Sequence, residues 1–166
     1  MNQIVKQVEV ALTGAAKRLE SQLLQDLNLD RVSHRVFFAK SETVVANETL
    51  ISFLGAFVFA DGHKTARLCL HRDQTQAIQE MLMIHAEQVS TGPLRQNNDS
   101  LVSYHLIRGA LEITLHHGGA TGDKVYQVEK LQNQPSVNSS LRVRARVFRT
   151  ICSLTDSAVF IETPIL

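Results

Sequence analysis

The chain has 166 residues and a mass of 18.5 kDa, with 44% apolar, 20% charged and 5% aromatic residues. Seventeen Lys and Arg against sixteen Asp and Glu leave a net charge of +1, which excludes the basic excess of a dedicated nucleic-acid binder and the imbalance of a disordered chain. No apolar run reaches the roughly 18–20 residues of a membrane span, so composition points to one soluble globular domain and names no reaction.

In chain order, the first nine residues carry Lys6 and Glu9 where a secretory leader needs apolar side chains, and a cytoplasmic, reducing compartment is expected. Ile4, Val8, Leu12, Ala15, Leu19 and Leu23 recur at three- and four-residue steps, which predicts an amphipathic helix over 3–27 ending near Asn28. Residues 1–34 therefore read as a helical extension and 35–166 as the main domain. Val36-Phe37-Phe38 reads as extended. Glu48 to Phe53 fits a short helix capped by Asn47 or Glu48, Phe57-Val58-Phe59 is again apolar, and Asp61-Gly62 marks a turn.

From Ala66 the pattern becomes that of strands, predicted at 66–71, 79–86, 102–108, 110–116, 124–131, 141–146, 148–153 and 157–163. Turn chemistry separates them: Gly92-Pro93, Asn97-Asn98-Asp99, Gly109, Gly118-Gly119, Gly122-Asp123 and Gln134-Pro135-Ser136. Short strands at this spacing predict a mainly β sandwich or barrel behind an N-terminal helix. Cys69 and Cys152 stand alone in strand-like runs, without the pairing of a disulfide framework or zinc site, and read as small buried hydrophobes.

Three stretches carry a family resemblance. They are Arg67-Leu-Cys-Leu-His71 with the following Gln79 to Leu82, Ser103-Tyr-His-Leu-Ile-Arg-Gly109, and Val147 to Ile151 with Leu154 to Glu162. In this order and spacing the chain resembles the WbuC-like cupin-fold proteins, small bacterial proteins associated with polysaccharide biosynthesis, over about residues 35–163. The resemblance implies an all-β cupin, a double-stranded β-helix or RmlC-like jelly-roll barrel with a metal in its mouth, and a homodimer paired through its sheets. It also implies where the metal ligands would fall: a glutamate at Val102, paired histidines within Leu94 to Asn98, and a late histidine at Arg149. All are substituted. Val102 has no donor atom, Arg149 brings a permanent positive charge, and Gln96 and Asn98 offer neutral amide oxygens that suit a transition metal poorly. The expectation is a degenerate metal site, with neither metal nor other cofactor.

Arg149, and Arg95 in the loop of the missing histidines, would turn a cation site into an anion site by bidentate pairing with a carboxylate or phosphate; the plainer reading is an arginine snorkelling to the barrel rim. His71 and Arg67 share a strand face at four-residue spacing and are candidates for a polar ligand, against a strand-end hydrogen bond for His71. Tyr104 and His105 are candidates too, although alternation sends His105 to the face opposite Val102 and Tyr104, where a structural or subunit-contact role fits. His116-His117 read as hairpin ends. Arg142, Arg144 and Arg146 alternate with apolar residues as a solvated strand face without interleaved aromatics, so no nucleic-acid partner is expected, and no membrane partner either. Hydrolase elbow, metalloprotease, phosphate-loop and dinucleotide signatures are absent from the sequence. The first reading is a non-catalytic binding or interaction module for an anionic or sugar-linked small molecule. The alternatives are a metal-independent epimerase- or isomerase-like enzyme using His71, His105 or Tyr104, and a metalloprotein with non-standard ligands such as His71 or His85 with Glu80.

Overall fold

A computed structural model describes residues 18–41, 43–60, 62–71, 75–95, 100–117, 122–130 and 139–165. Most of the helix expected over 3–27 lies outside them; its end, α1, runs over residues 18–26. Leu23, Leu24 and Leu27 pack on the core while Leu19 stays 62% exposed, so the buried stripe is displaced from the one the periodicity predicts. Asn28, at φ 54°, ends the helical segment and turns the chain into β1 (Leu29–Ser33). This strand lies past the helix end expected near Asn28, inside the 1–34 segment read as a helical extension, and pairs with β2 in the main sheet.

The remaining elements are β2 (Val36–Ala39), α2 (Glu48–Ala60), β3 (Thr65–Cys69), β4 (Met81–Ala86), β5 (Ser90–Leu94), β6 (Leu101–His116), β7 (Lys124–Lys130), β8 (Ser140–Arg144), β9 (Phe148–Ser153) and β10 (Ser157–Ile165). The protein is mainly β, a curled sheet forming a half-barrel. Strands run in the order β1-β2-β3-β4-β10-β6-β9-β5, with β7 and β8 also on β6. Only β2 and β3 pair in parallel among the named strands.

The curl is built into β6. Leu101–Arg108 pairs with β10 and β8, and Gly109–His116 pairs with β7 and β9. Gly109 is therefore a bend within one sixteen-residue strand, where the sequence reading placed a turn between two. Its φ of +90° suits glycine, and a Cβ there would sit 2.5 Å from the Ser157 carbonyl oxygen. Gly92-Pro93 differs likewise. Both belong to β5, an unpredicted strand on β9, and Gly92 lets the backbone approach Arg149, whose carbonyl oxygen would lie 2.6 Å from an added Cβ.

Two apolar clusters follow from strand alternation. Ala66 and Leu68 on β3, Leu82 and Ile84 on β4, and Val159 on β10 face α2, which contributes Leu50, Ile51, Phe53 and Leu54. The other face of β10, with Ala158 and Phe160, joins Val102, Tyr104, Leu111, Ile113 and Ile151 inside the half-barrel. Asn47 caps α2, its Oδ1 accepting from the Leu50 amide at 2.9 Å, and the helix runs seven residues past its expected end at Phe53.

Candidate functional site: an arginine-lined cavity in the half-barrel

Alternation along β9 buries Arg149, Ile151 and Ser153, at 2%, 1% and 1% exposure. A guanidinium in that position needs partners, because an unpaired buried charge costs several kcal/mol. Arg149 has three. Its Nη2 lies 3.6 Å from the Glu162 carboxylate, its Nε donates to the Tyr104 hydroxyl, and its Nη1 donates to the Ala145 carbonyl at 3.4 Å. The Tyr104 hydroxyl in turn donates to Glu162 Oε1 at 3.3 Å. Arg149, Tyr104 and Glu162 thus close a buried triangle.

Burial pushes the Glu162 carboxyl up from its ordinary value, opposed by Arg149 and, more weakly, by Arg67. Burial first, and the nearby Glu162 charge second, push the Tyr104 phenol well up, so it stays protonated and acts as a hydrogen-bond relay between its neighbours.

Above the triangle opens a cavity of about 460 Å³. Its lining holds four guanidinium groups, Arg35, Arg67, Arg95 and Arg149, against the single carboxylate of Glu162. With Glu162 ionised the wall has a surplus of three positive charges. Arg35 donates to Thr65 Oγ1 at 3.1 Å, and the Arg95 guanidinium stacks 4.9 Å from the centre of the Phe148 ring. Arg67 projects from the inward side of β3 and is solvent-exposed; no carboxylate is hydrogen-bonded to it among the described residues. Met83, Phe160 and Ile151 supply an apolar floor.

Of the six residues singled out from sequence, Arg67, Arg95 and Arg149 meet in this cavity. Tyr104 touches Arg149 and Glu162 but does not line the opening. His105 is exposed on the outer side of β6. His71 lies past the end of β3, away from Arg67: its Nδ1 donates to the Glu80 carbonyl at 3.1 Å, its ring packs on Phe38, and it borders a separate surface pocket. The alternative grouping of His71 or His85 with Glu80 splits, because His85 faces the arginine cavity and Glu80 borders the pocket of His71. Gln96 and Asn98 lie outside the described residues.

Glu162 and Arg35 are site residues that the sequence does not single out, and His85, a candidate only as a metal ligand beside Glu80, stands instead in the arginine cavity. A signal existed for His85: Met81, Met83 and His85 alternate on one side of β4. His116 joins the ends of the β6–β7 hairpin, 2.8 Å from Asp123 Oδ2, and also meets Thr150 Oγ1 at 2.8 Å. Arg142, Arg144 and Arg146 are exposed, with Val143 and Ala145 buried between them.

A curled, mainly β half-barrel with an arginine-rich cavity is the class that fold and site define. Solved structures of similar shape include the cupin domain of an XRE-family transcriptional regulator from Enterobacter cloacae, 12% identical, covering 62% of this chain and 97% of its own, with a TM-score of 0.48. A cupin-superfamily protein from Desulfitobacterium hafniense is 13% identical over 82% of this chain and 99% of its own, with a TM-score of 0.49. KdgF from a Halomonas species is 9% identical over 61% of this chain and 77% of its own, with a TM-score of 0.47. At these identities the likeness concerns fold alone. No protein-family model and no curated protein matches the chain. No described helix is long and apolar enough to cross a membrane.

Proposed function

We propose that the protein is a WbuC-like cupin whose metal site has been replaced by an anion site, and that it binds a small organic anion without catalysis. The observation that carries this reading is the excess of four guanidinium groups over one carboxylate in a single cavity. Arg149 is held in place by Tyr104 and Glu162, so it supplies fixed positive potential at the cavity wall, while Arg67 reaches solvent and meets an incoming carboxylate or phosphate.

The chemistry at two of the positions that the resemblance assigns to metal ligands supports this reading: Val102 is fully buried and apolar, and Arg149 is cationic, so neither suits a metal ion of the cupin kind. On the same reading the protein acts in the cytoplasm as a homodimer. Exposed Val125 and Phe148, which share the outer side of the sheet, are apolar surface that a second copy would cover. A single 18.5 kDa species in sedimentation would remove the dimer.

The test is isothermal titration of inorganic phosphate and citrate into wild type and Arg67→Gln, beside elemental analysis of untagged protein. Binding weakened about tenfold or more by Arg67→Gln is expected, consistent with loss of one charge-assisted contact. Absence of anion binding, or one metal per chain, would overturn the reading.

A further inference from the structure

The anion reading leaves one cavity residue without a task. His85 is 1% exposed, lines the arginine cavity, and has no hydrogen-bond partner on either ring nitrogen among the described residues. Its ring meets the edge of Phe160 at 5.0 Å, an apolar contact that satisfies neither nitrogen. Burial lowers its pKa to about 4, so the imidazole is neutral at pH 7 and offers one donor and one acceptor. Buried polar atoms are otherwise almost always paired, and an orphaned pair in the wall of a cavity points to a binding function.

The sheet register places His85 relative to the arginines. Glu162 lies opposite Met81 and Arg67 opposite Met83, while His85 lies opposite Ala158 and Thr65. His85 therefore sits one inward position, about 7 Å of strand, beyond the rung of Arg67. A carboxylate or phosphate has acceptors only and would satisfy the imidazole donor alone. A hydroxyl both donates and accepts, so it can pair with an imidazole nitrogen whichever tautomer is present.

We propose that His85 reads ligand hydroxyls, so that the cavity takes a hydroxylated organic anion about six carbons long, its charged group on Arg67 and its hydroxyls on His85. This rests on the anion reading and narrows its substrate class. The carboxylate and phosphate forms share this chemistry and are separated by the probes.

Titration calorimetry of the full chain with gluconate, glucose 6-phosphate and hexanoate tests it. Wild type is expected to bind gluconate or glucose 6-phosphate at least about tenfold more tightly than hexanoate, whichever binds better identifying the charged group. His85→Phe is expected to bring that preference within about twofold and leave hexanoate affinity unchanged. Hexanoate binding as well as both hydroxylated probes in wild type would overturn the proposal and leave the anion reading standing; binding of none of the three would remove both.

A second arm needs no ligand. If His85 is kept for binding, relieving its unpaired nitrogens raises the melting temperature of His85→Phe or His85→Leu by about 2–4 °C. A fall in both variants would show that the fold itself holds the imidazole, and the proposal would fail.

Discussion

At the scale of single residues, the protein keeps two ionisable groups, Arg149 and Glu162, where a barrel interior favours apolar side chains. Their mutual pairing, relayed through Tyr104, makes this tolerable, so removing one partner is expected to cost far more than removing both. Arg149→Met should lower stability by about 3–5 kcal/mol in urea denaturation, and Arg149→Met combined with Glu162→Leu should recover most of it. A single variant within about 1 kcal/mol of wild type would mean the pair is solvated and the triangle is not a unit. His85 gives a pH signature. Between its folded value of about 4 and its ordinary 6.5, the unfolded chain binds a proton that the folded protein does not, so stability falls as pH drops through that window, by up to about 3 kcal/mol. Glu162, raised by burial, acts in the opposite sense, contributing stability that is lost as pH rises through its folded value. The His85 effect is therefore read as the difference between wild type and His85→Phe at pH 7 and pH 4.5, and an unchanged difference would show that His85 titrates normally. Arg149 was legible as a site candidate, but its depth was not: the plainer expectation is a rim arginine, and burial at 2% overturns it because alternation along β9 turns Arg149 inward with Ile151. The meeting of Glu162 and His85 was not legible either: they lie on strands far apart in sequence, and the β4–β10 register that brings both into one cavity is fixed by tertiary pairing.

At the scale of elements, two glycines decide where the strands go, and both were read as turns. In each case glycine serves close backbone approach inside a strand, Gly109 at the bend of β6 and Gly92 at the register shift between Thr91 and Leu94, a condition that the turn statistics of glycine do not distinguish. Gly109→Ala is expected to cost at least about 2 kcal/mol, since the new Cβ meets the Ser157 carbonyl and the Ala158 backbone and φ is +90°. Gly62→Ala is the control: φ is +66°, but nothing lies within 4 Å, so only the conformational cost of about 1 kcal/mol remains. Equal losses in chemical denaturation would show that the bend in β6 is not sterically determined. The helix α2 shows the complementary limit. Its cap was legible to within one residue, Asn47 or Glu48, and Asn47 fills it because its side-chain oxygen accepts from the Leu50 amide. Its length was not, because an apolar run through Phe57-Val58-Phe59 fits a strand and a helix equally by pattern.

At the scale of the whole molecule, a net charge of +1 conceals a strongly uneven distribution: the four arginines of one cavity are drawn from β3, β9, the β1–β2 turn and the end of β5. Field lines in a concave site with an apolar floor are concentrated rather than screened, so the cavity attracts anions although the molecule as a whole is nearly neutral. Two consequences separate an anion site from a metal site in one experiment. An anion that binds only the folded state, present at about a hundred times its dissociation constant, stabilises by about 2.7 kcal/mol and should raise the melting temperature by roughly 5–10 °C. That gain should shrink as sodium chloride increases from 50 mM to 500 mM, because Arg67 and Arg95 are open to solvent and screened by salt. Manganese, iron(II) and zinc salts at the same concentration should produce no comparable rise, since the guanidinium surplus repels cations. Arg67→Gln should keep the unliganded melting temperature within about 2 °C, its side chain being exposed and outside the buried triangle, and should lose most of the anion-induced rise. A large, salt-insensitive stabilisation by one of the metals would reverse the assignment. The cavity would then have to gather cation ligands from segments flanking β5, and the arginines would stand as its structural rim.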